Sequence, residues 1–205
     1  EYERMKVGNT RVLLRSYWGR FPGPTFRVRP GDTFKLRLVN DLPPEEHVGH
    51  DSNMPHGFNT TNMHLHGLHI SPKGNSDNVL IEIPPGERFD YEFNIPANHP
   101  AGTYWYHPHK HGSTSVQLYS GLAGAFIVEG DIDEVPEIAA ARDRVFVIQE
   151  IRVGAKGLVP DFDLDAFDSA TILRTINGQL QPTITIRPGE VQRWRLIQAG
   201  VGEFT

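Results

Sequence analysis

An all-β fold, one complete Greek-key sandwich followed by an incomplete second copy, is the architecture that the 205 residues predict. Three observations carry this reading. The 20 Gly and 16 Pro together exceed the roughly 12% that the two contribute to an average chain, which favours many turns and short strands. Apolar and polar residues alternate over short runs, the period of a half-buried strand. A stretch of sequence also recurs: residues 18–40 align without a gap on residues 176–198, at a constant offset of 158.

Taken in order, residues 10–17 read as a first strand. Residues 19–25, with Pro22-Gly23-Pro24, read as a turn incompatible with regular structure. Phe26-Arg27-Val28-Arg29 alternates, Pro30-Gly31-Asp32 turns the chain, and residues 34–39 alternate again with Phe34, Leu36 and Leu38 on one face. Residues 40–60, with three prolines and three histidines, form a long loop. A strand is expected over 63–70, with Met63 and Leu65 toward the core and His64, His66 and Leu68 on the other face. Residues 73–78 read as a hairpin turn. Residues 88–95 place Phe89, Tyr91, Phe93 and Ile95 on one face, and residues 122–129 close the unit. This assigns residues 1–130 to a first domain, the acidic and then alanine-rich 131–143 to a linker, and 144–205 to the start of a second domain.

The repeat supports that division. Pro24-Thr25 falls on Pro182-Thr183, Arg29-Pro30-Gly31-Asp32 on Arg187-Pro188-Gly189-Glu190, and Leu36-Arg37-Leu38-Val39 on Trp194-Arg195-Leu196-Ile197. In the first copy about ninety residues follow Asn40 before the unit closes, but in the second only seven follow Gln198. The second copy is therefore expected to leave apolar faces and strand edges uncovered, as part of a longer protein would.

Composition excludes several classes. The 20 basic and 25 acidic residues make no electrostatic case for nucleic acid or an anionic membrane surface. No apolar run reaches the roughly 18–20 residues of a spanning helix. The chain does not begin with a signal peptide, which a processed or trimmed chain would lack. With no cysteine, there is neither a disulfide nor a thiolate metal ligand.

The chemistry concentrates in residues 62–112. His64-Leu65-His66-Gly67 follows Thr60-Thr61-Asn62-Met63, and His107-Pro108-His109-Lys110-His111-Gly112 follows Gly102-Thr103-Tyr104-Trp105-Tyr106. Residues i and i+2 of a strand share a face, roughly 6.5–7 Å apart. Each His-x-His thus presents two imidazoles, and two such strands present four: His64, His66, His107 and His109. Four neutral imidazoles without a thiolate suit Cu, Zn, Fe or Ni. His111 shares their parity, but Pro108 and the coming turn leave its direction open. His69 has the opposite parity. His47, His50, His56 and His99 lie in loop-like sequence and read as surface residues. Trp105 shares parity with His107 and is expected mainly as core packing, with a place beside the ligands as the alternative.

At these residues the chain resembles the first domain of a multicopper oxidase, the family of laccases, bilirubin oxidases and cuprous oxidases. The resemblance runs through Thr61 to Gly67, Ile83-Pro84-Pro85-Gly86-Glu87, Gly102 to Gly112 and Gly121-Leu122-Ala123-Gly124-Ala125. It implies a cupredoxin-type sandwich, with His64 on a type 2 copper, His66 and His107 on one type 3 copper, and His109 on the other. These four would be half of an eight-histidine trinuclear cluster. The other half, with a His-Cys-His segment and the type 1 copper, would come from a missing C-terminal cupredoxin domain or a neighbouring subunit. The implied reaction is one-electron oxidation of a small reducing substrate coupled to four-electron reduction of dioxygen to water, in the periplasm or outside the cell. The fragment alone is expected to be inactive.

The family commonly places an acid shortly after His-x-His-Gly, and Asp77 is the only acid between His66 and Glu82. It is the candidate to orient a ligand and donate protons; capping its own turn is the competing role. Two readings of other classes stand beside the oxidase: a non-catalytic copper- or zinc-binding module, and a structural protein that kept the fold without the metals. A copper nitrite reductase would need a cysteine that is absent here.

Overall fold

The computed structural model describes residues 1–45, 54–154, 157–159 and 168–202. Alternating apolar residues fold as the sequence predicts into strands that sandwich one large core. One sheet has the order β3-β8-β7-β5, made of Gly23–Val28, Gly124–Val128, Gly102–His107 and His64–His66; β4 (Thr33–Val39) and β6 (Arg88–Asn94) pair antiparallel. Between them lie Leu36, Leu38, Leu65, Tyr91, Phe93, Tyr106, Phe126 and Val128, all buried. Phe34, Leu36 and Leu38 on β4 face Phe89, Tyr91 and Phe93 on β6, so both alternating runs turn inward as expected.

Several local expectations give way to tertiary context. β1 (Tyr2–Val7), unanticipated, pairs with β2 (Thr10–Arg15). β3 starts at Gly23, inside the stretch expected to be a turn; it pairs parallel with β8, and the register shift between Gly23 and Phe26 accommodates Pro24, which has no N–H to donate. β5 is only three residues long, because Gly67 takes φ +87° and turns the chain. Leu68 therefore joins Met63 and Leu65 in the core instead of sharing the histidine face.

A six-residue helix, α1 (Thr114–Tyr119), occupies residues whose β-branched and polar side chains carry no helical period. Tertiary contacts hold it: buried Gln117 accepts from Thr61 Oγ1 at 2.8 Å and donates to the Phe58 and Thr60 carbonyls at 3.0 and 2.7 Å. The stretch expected as a linker folds into α2 (Asp131–Glu134) and α3 (Pro136–Ala139), and the next strand, β9 (Arg142–Val153), begins two residues early.

β9 is the centre of a second sheet, flanked by β10 (Thr171–Ile176) antiparallel and β11 (Gln192–Gln198) parallel. The repeat is visible as structure. Arg29 N–H donates to Asp32 at 2.7 Å and Arg187 N–H to Glu190 at 2.9 Å, so the same side-chain-closed turn precedes β4 and β11. The counterpart of β3, residues 181–186, forms no strand. β3 is held by β8, and among the described residues no strand stands in that place for 181–186. Trp194 and Leu196 on β11 are exposed.

The β10-β9-β11 sheet packs against β1, β2 and α1. Ile151, Val153, Val159 and Leu173 bury against Val7, Val12, Leu14, Val116 and Tyr119. Arg195, almost fully buried, donates to Asp143 at 2.9 Å and Asp133 at 2.7 Å, and Arg27 on β3 donates to the same Asp143 at 3.0 Å. Burial works to raise both carboxyls, but hydrogen bonds outweigh it and hold them below the usual carboxylate range: those of Arg27 and Arg195 on Asp143, and those of the Gly130 amide and then Arg193 and Arg195 on Asp133.

Candidate metal centre

β5 and β7 pair antiparallel with His64 opposite His107, Leu65 opposite Tyr106, and His66 opposite Trp105. This register puts Leu65 and Tyr106 into the core and the imidazoles on the outer face. β5 is the edge of its sheet, and side chains complete its open edge. Met63 N–H donates to the Tyr91 hydroxyl at 3.0 Å, and Leu65 N–H donates to Asp77 Oδ1 at 2.9 Å.

Nδ1, Nε2 pairs of His64, His66 and His107 supply three ligand atoms within 4.8 Å of one another. Each ring has its tautomer assigned by a partner. His64 Nδ1 lies 3.0 Å from both oxygens of the Asp77 carboxylate and donates to it, which leaves the lone pair on Nε2. His107 Nδ1 donates to the Pro108 carbonyl at 2.8 Å, so its Nε2 also carries a lone pair. That Nε2 faces His66 Nδ1 at 3.1 Å, and the two nitrogens share one proton that a metal ion would replace. Burial lowers His107 to about 3, and burial followed by the neighbouring His64 and His109 lowers His66, so both stay neutral ligands at physiological pH.

His109 joins the group from one side: its ring centroid is 5.2 Å from His64, as close as the trio's rings are to one another, but 6.0 Å from His107, and it is exposed and outside the set of donor atoms within 4.8 Å. Its backbone N–H donates to Asn62 Oδ1 at 2.6 Å. His66 is exposed as well, whereas His107 is buried, so the centre is closed on the protein side and open outward. Trp105 stacks on His107 at 4.2 Å and on His66 at 4.9 Å while packing against the small core of Leu118, Ala125 and Ile197; it takes both of the places weighed for it.

The remaining histidines lie elsewhere. β7 ends at His107, so strand parity does not extend to His111, whose ring is 5.8 Å from that of His56. The His69 ring lies tilted against that of His99, centroids 5.5 Å apart, and the His69 backbone N–H donates to His99 Nε2 at 2.9 Å. His99 also donates to the Pro100 carbonyl and is buried, a satisfied structural residue instead of the expected surface one. His56 is half-buried rather than a surface residue. His47 and His50 lie outside the described residues. Asp77 is buried and its carboxylate points at His64 and the Leu65 amide, not at its own turn. Sequence reasoning passed over Asn62 and Tyr91; the only signal for Asn62 was a polar residue at the start of an otherwise inward-facing strand edge.

An all-imidazole donor set with three of its rings held by hydrogen bonds fits copper or zinc and needs no thiolate. The comparisons with known proteins bear on which. The multicopper oxidase family profile matches residues 3–132. The multicopper oxidase mco of Staphylococcus aureus is 32% identical over 184 residues, covering 88% of this chain and 36% of that protein. The solved multi-copper oxidase of Pseudomonas thermotolerans superposes with a TM-score of 0.72 at 25% identity, covering 97% of this chain and 44% of that one. The Campylobacter jejuni multicopper oxidase, described as a metallo-oxidase, gives 0.64 at 27% identity over 88% of this chain and 36% of its own. This chain thus spans well under half the length of these relatives. With its cupredoxin-like sandwich and the matching profile over most of its length, the chain belongs to the multicopper oxidase family.

Proposed function

We propose that His64, His66, His107 and His109 form half of the ligand shell of a trinuclear copper cluster, in a protein that couples oxidation of a small reducing substrate to reduction of dioxygen to water. His64 serves the type 2 copper, His66 and His107 one type 3 copper, and His109 the other. The observation that carries this reading is the trio of donor atoms within 4.8 Å, with His66 Nδ1 and His107 Nε2 facing one another. Copper held there supplies the one-electron chemistry that dioxygen reduction needs. A type 1 copper requires a thiolate, which this chain lacks, so that site and the remaining imidazoles belong to a C-terminal cupredoxin domain or a neighbouring subunit.

The chain's own residues bind, orient and deliver protons. Asp77 holds the His64 proton on Nδ1, keeping Nε2 turned to the metal side. It is also the carboxylate bonded to one of the four imidazoles, and after taking up a proton from solvent it would serve as the proton donor beside the centre. Trp105 braces the His66 and His107 rings by stacking. No helix among the described residues is long and apolar enough to cross a membrane, and we place the protein in the periplasm or outside the cell, where copper and small reductants meet it.

Copper titration of the chain tests the reading. The wild-type chain binds copper through these imidazoles, without an intense blue colour and without oxidase turnover. Replacing His64, His66, His107 and His109 by alanine abolishes that binding. Copper held equally well by the quadruple variant refutes the assignment, and zinc retained in strong preference to copper would favour a non-catalytic module.

A further inference from the structure

Three of the four imidazoles are fixed through ring nitrogens. Asp77 holds His64, the Pro108 carbonyl holds His107, and His107 in turn holds His66. His109 differs: among the described residues no hydrogen bond reaches its ring, and its chain segment has already left β7. What places it is the backbone bond from its N–H to Asn62 Oδ1, at 2.6 Å.

Asn62 is completely buried, and both ends of its amide are engaged. Oδ1 accepts from His109, while Nδ2 donates to the carbonyls of Val79 and Ile81, each at 2.9 Å. One side chain therefore joins three segments: the approach to His64, the loop carrying His109, and the loop just after Asp77. An asparagine side chain is the right length with the right set, one acceptor and two donors. Aspartate offers the acceptor without both donors, and alanine takes the side-chain partner from three part-buried backbone groups.

We propose that Asn62 is the positioning residue of the metal centre. It sets where His109 stands relative to the His64–His66–His107 trio, and so decides whether the fourth imidazole can share in metal binding. The inference rests on the copper-centre reading for its consequence, but the placement of His109 can be read in the metal-free chain.

The test compares Asn62→Ala, Asn62→Asp and Leu14→Ala in the full chain. Leu14 is buried in a separate cluster that contains none of the four histidines, so it reports loss of stability alone. Two quantities are read: the backbone amide and ring NMR signals of His109 without metal, and Cu(II) affinity by competition with a chromophoric chelator. Asn62→Ala moves the His109 signals and weakens Cu(II) binding about 10- to 100-fold, the range for loss of a residue that orients ligands. Asn62→Asp, which keeps the acceptor, retains the His109 amide position and most of the affinity despite a lower melting temperature. Leu14→Ala lowers the melting temperature and moves neither readout. Unmoved His109 signals in Asn62→Ala, with copper binding no weaker than in Leu14→Ala, overturn the proposal. If Asn62→Ala does not fold, a folded Asn62→Asp that loses the His109 amide position overturns it equally. A wild-type chain that binds no copper sinks the oxidase reading, and the His109 signals then still decide whether Asn62 positions that loop.

Discussion

Replacing Asp77 by asparagine separates orientation of a ligand from ordinary turn chemistry. The carboxylate accepts from two donors, Leu65 N–H at 2.9 Å and His64 Nδ1 at 3.0 Å. Asparagine can keep its oxygen on the Leu65 amide, which is buried and costly to abandon. Its NH2 group then faces His64 Nδ1, where two donors cannot meet. The His64 proton moves to Nε2, and the lone pair needed on the metal side is lost. Restoring the ligand tautomer sacrifices one or two hydrogen bonds of about 1 kcal/mol each. That matches a 10- to 100-fold loss of copper affinity, about 1.4–2.7 kcal/mol. The fold should change little, because the Leu65 bond survives. Nitrogen-15 NMR of the metal-free chain reads the His64 tautomer, and Cu(II) competition reads the affinity. A His64 that keeps its proton on Nδ1 in Asp77→Asn, together with wild-type copper affinity, refutes the reasoning and leaves Asp77 as the partner of the Leu65 amide alone.

Two further outcomes follow from packing and charge. Arg195→Met removes one arginine from each of Asp133 and Asp143, which keep Arg193 and Arg27 respectively. Because both aspartates keep a second arginine and side-chain exposures of 20% and 27%, the loss falls below the roughly 3 kcal/mol of a buried charge left unpaired, read from chemical denaturation. Both carboxyls sit below their ordinary values, so their stabilisation is present above the unfolded carboxylate pKa near 4 and is lost as pH falls through the lower folded values. The wild type should therefore lose stability to acid more steeply than Arg195→Met below about pH 4; parallel curves would remove the arginine from that role. Gly124→Ala would set a methyl inside the Tyr106 ring, which is fully buried and donates its hydroxyl proton to the Pro24 carbonyl at 2.8 Å. Overpacking there should cost about 3 kcal/mol or more, and an unchanged melting temperature would show that β8 can shift away.

The sequence by itself determined the sandwich, the inward faces of β4 and β6, the repeat, and the four histidines, because each rests on a period of two or on residues adjacent in the chain. His64 and His66 share a face for the same reason that Leu36 and Leu38 do. What lay beyond it depended on partners distant in sequence. Gly23 became part of a strand only because β8 lies beside it, and α1 became a helix because Gln117 finds Thr61 and the carbonyls near it. Leu68 changed faces when Gly67 ended β5 after three residues. Whether the carboxylate of Asp77 turned to its own loop or to His64 could not be read from spacing in a turn. Only the folded chain decided it, by bringing the Leu65 amide and the His64 ring to the same carboxylate. Asn62 is the sharpest case: its three bonds reach 17, 19 and 47 residues along the chain, and no local pattern encodes such reach.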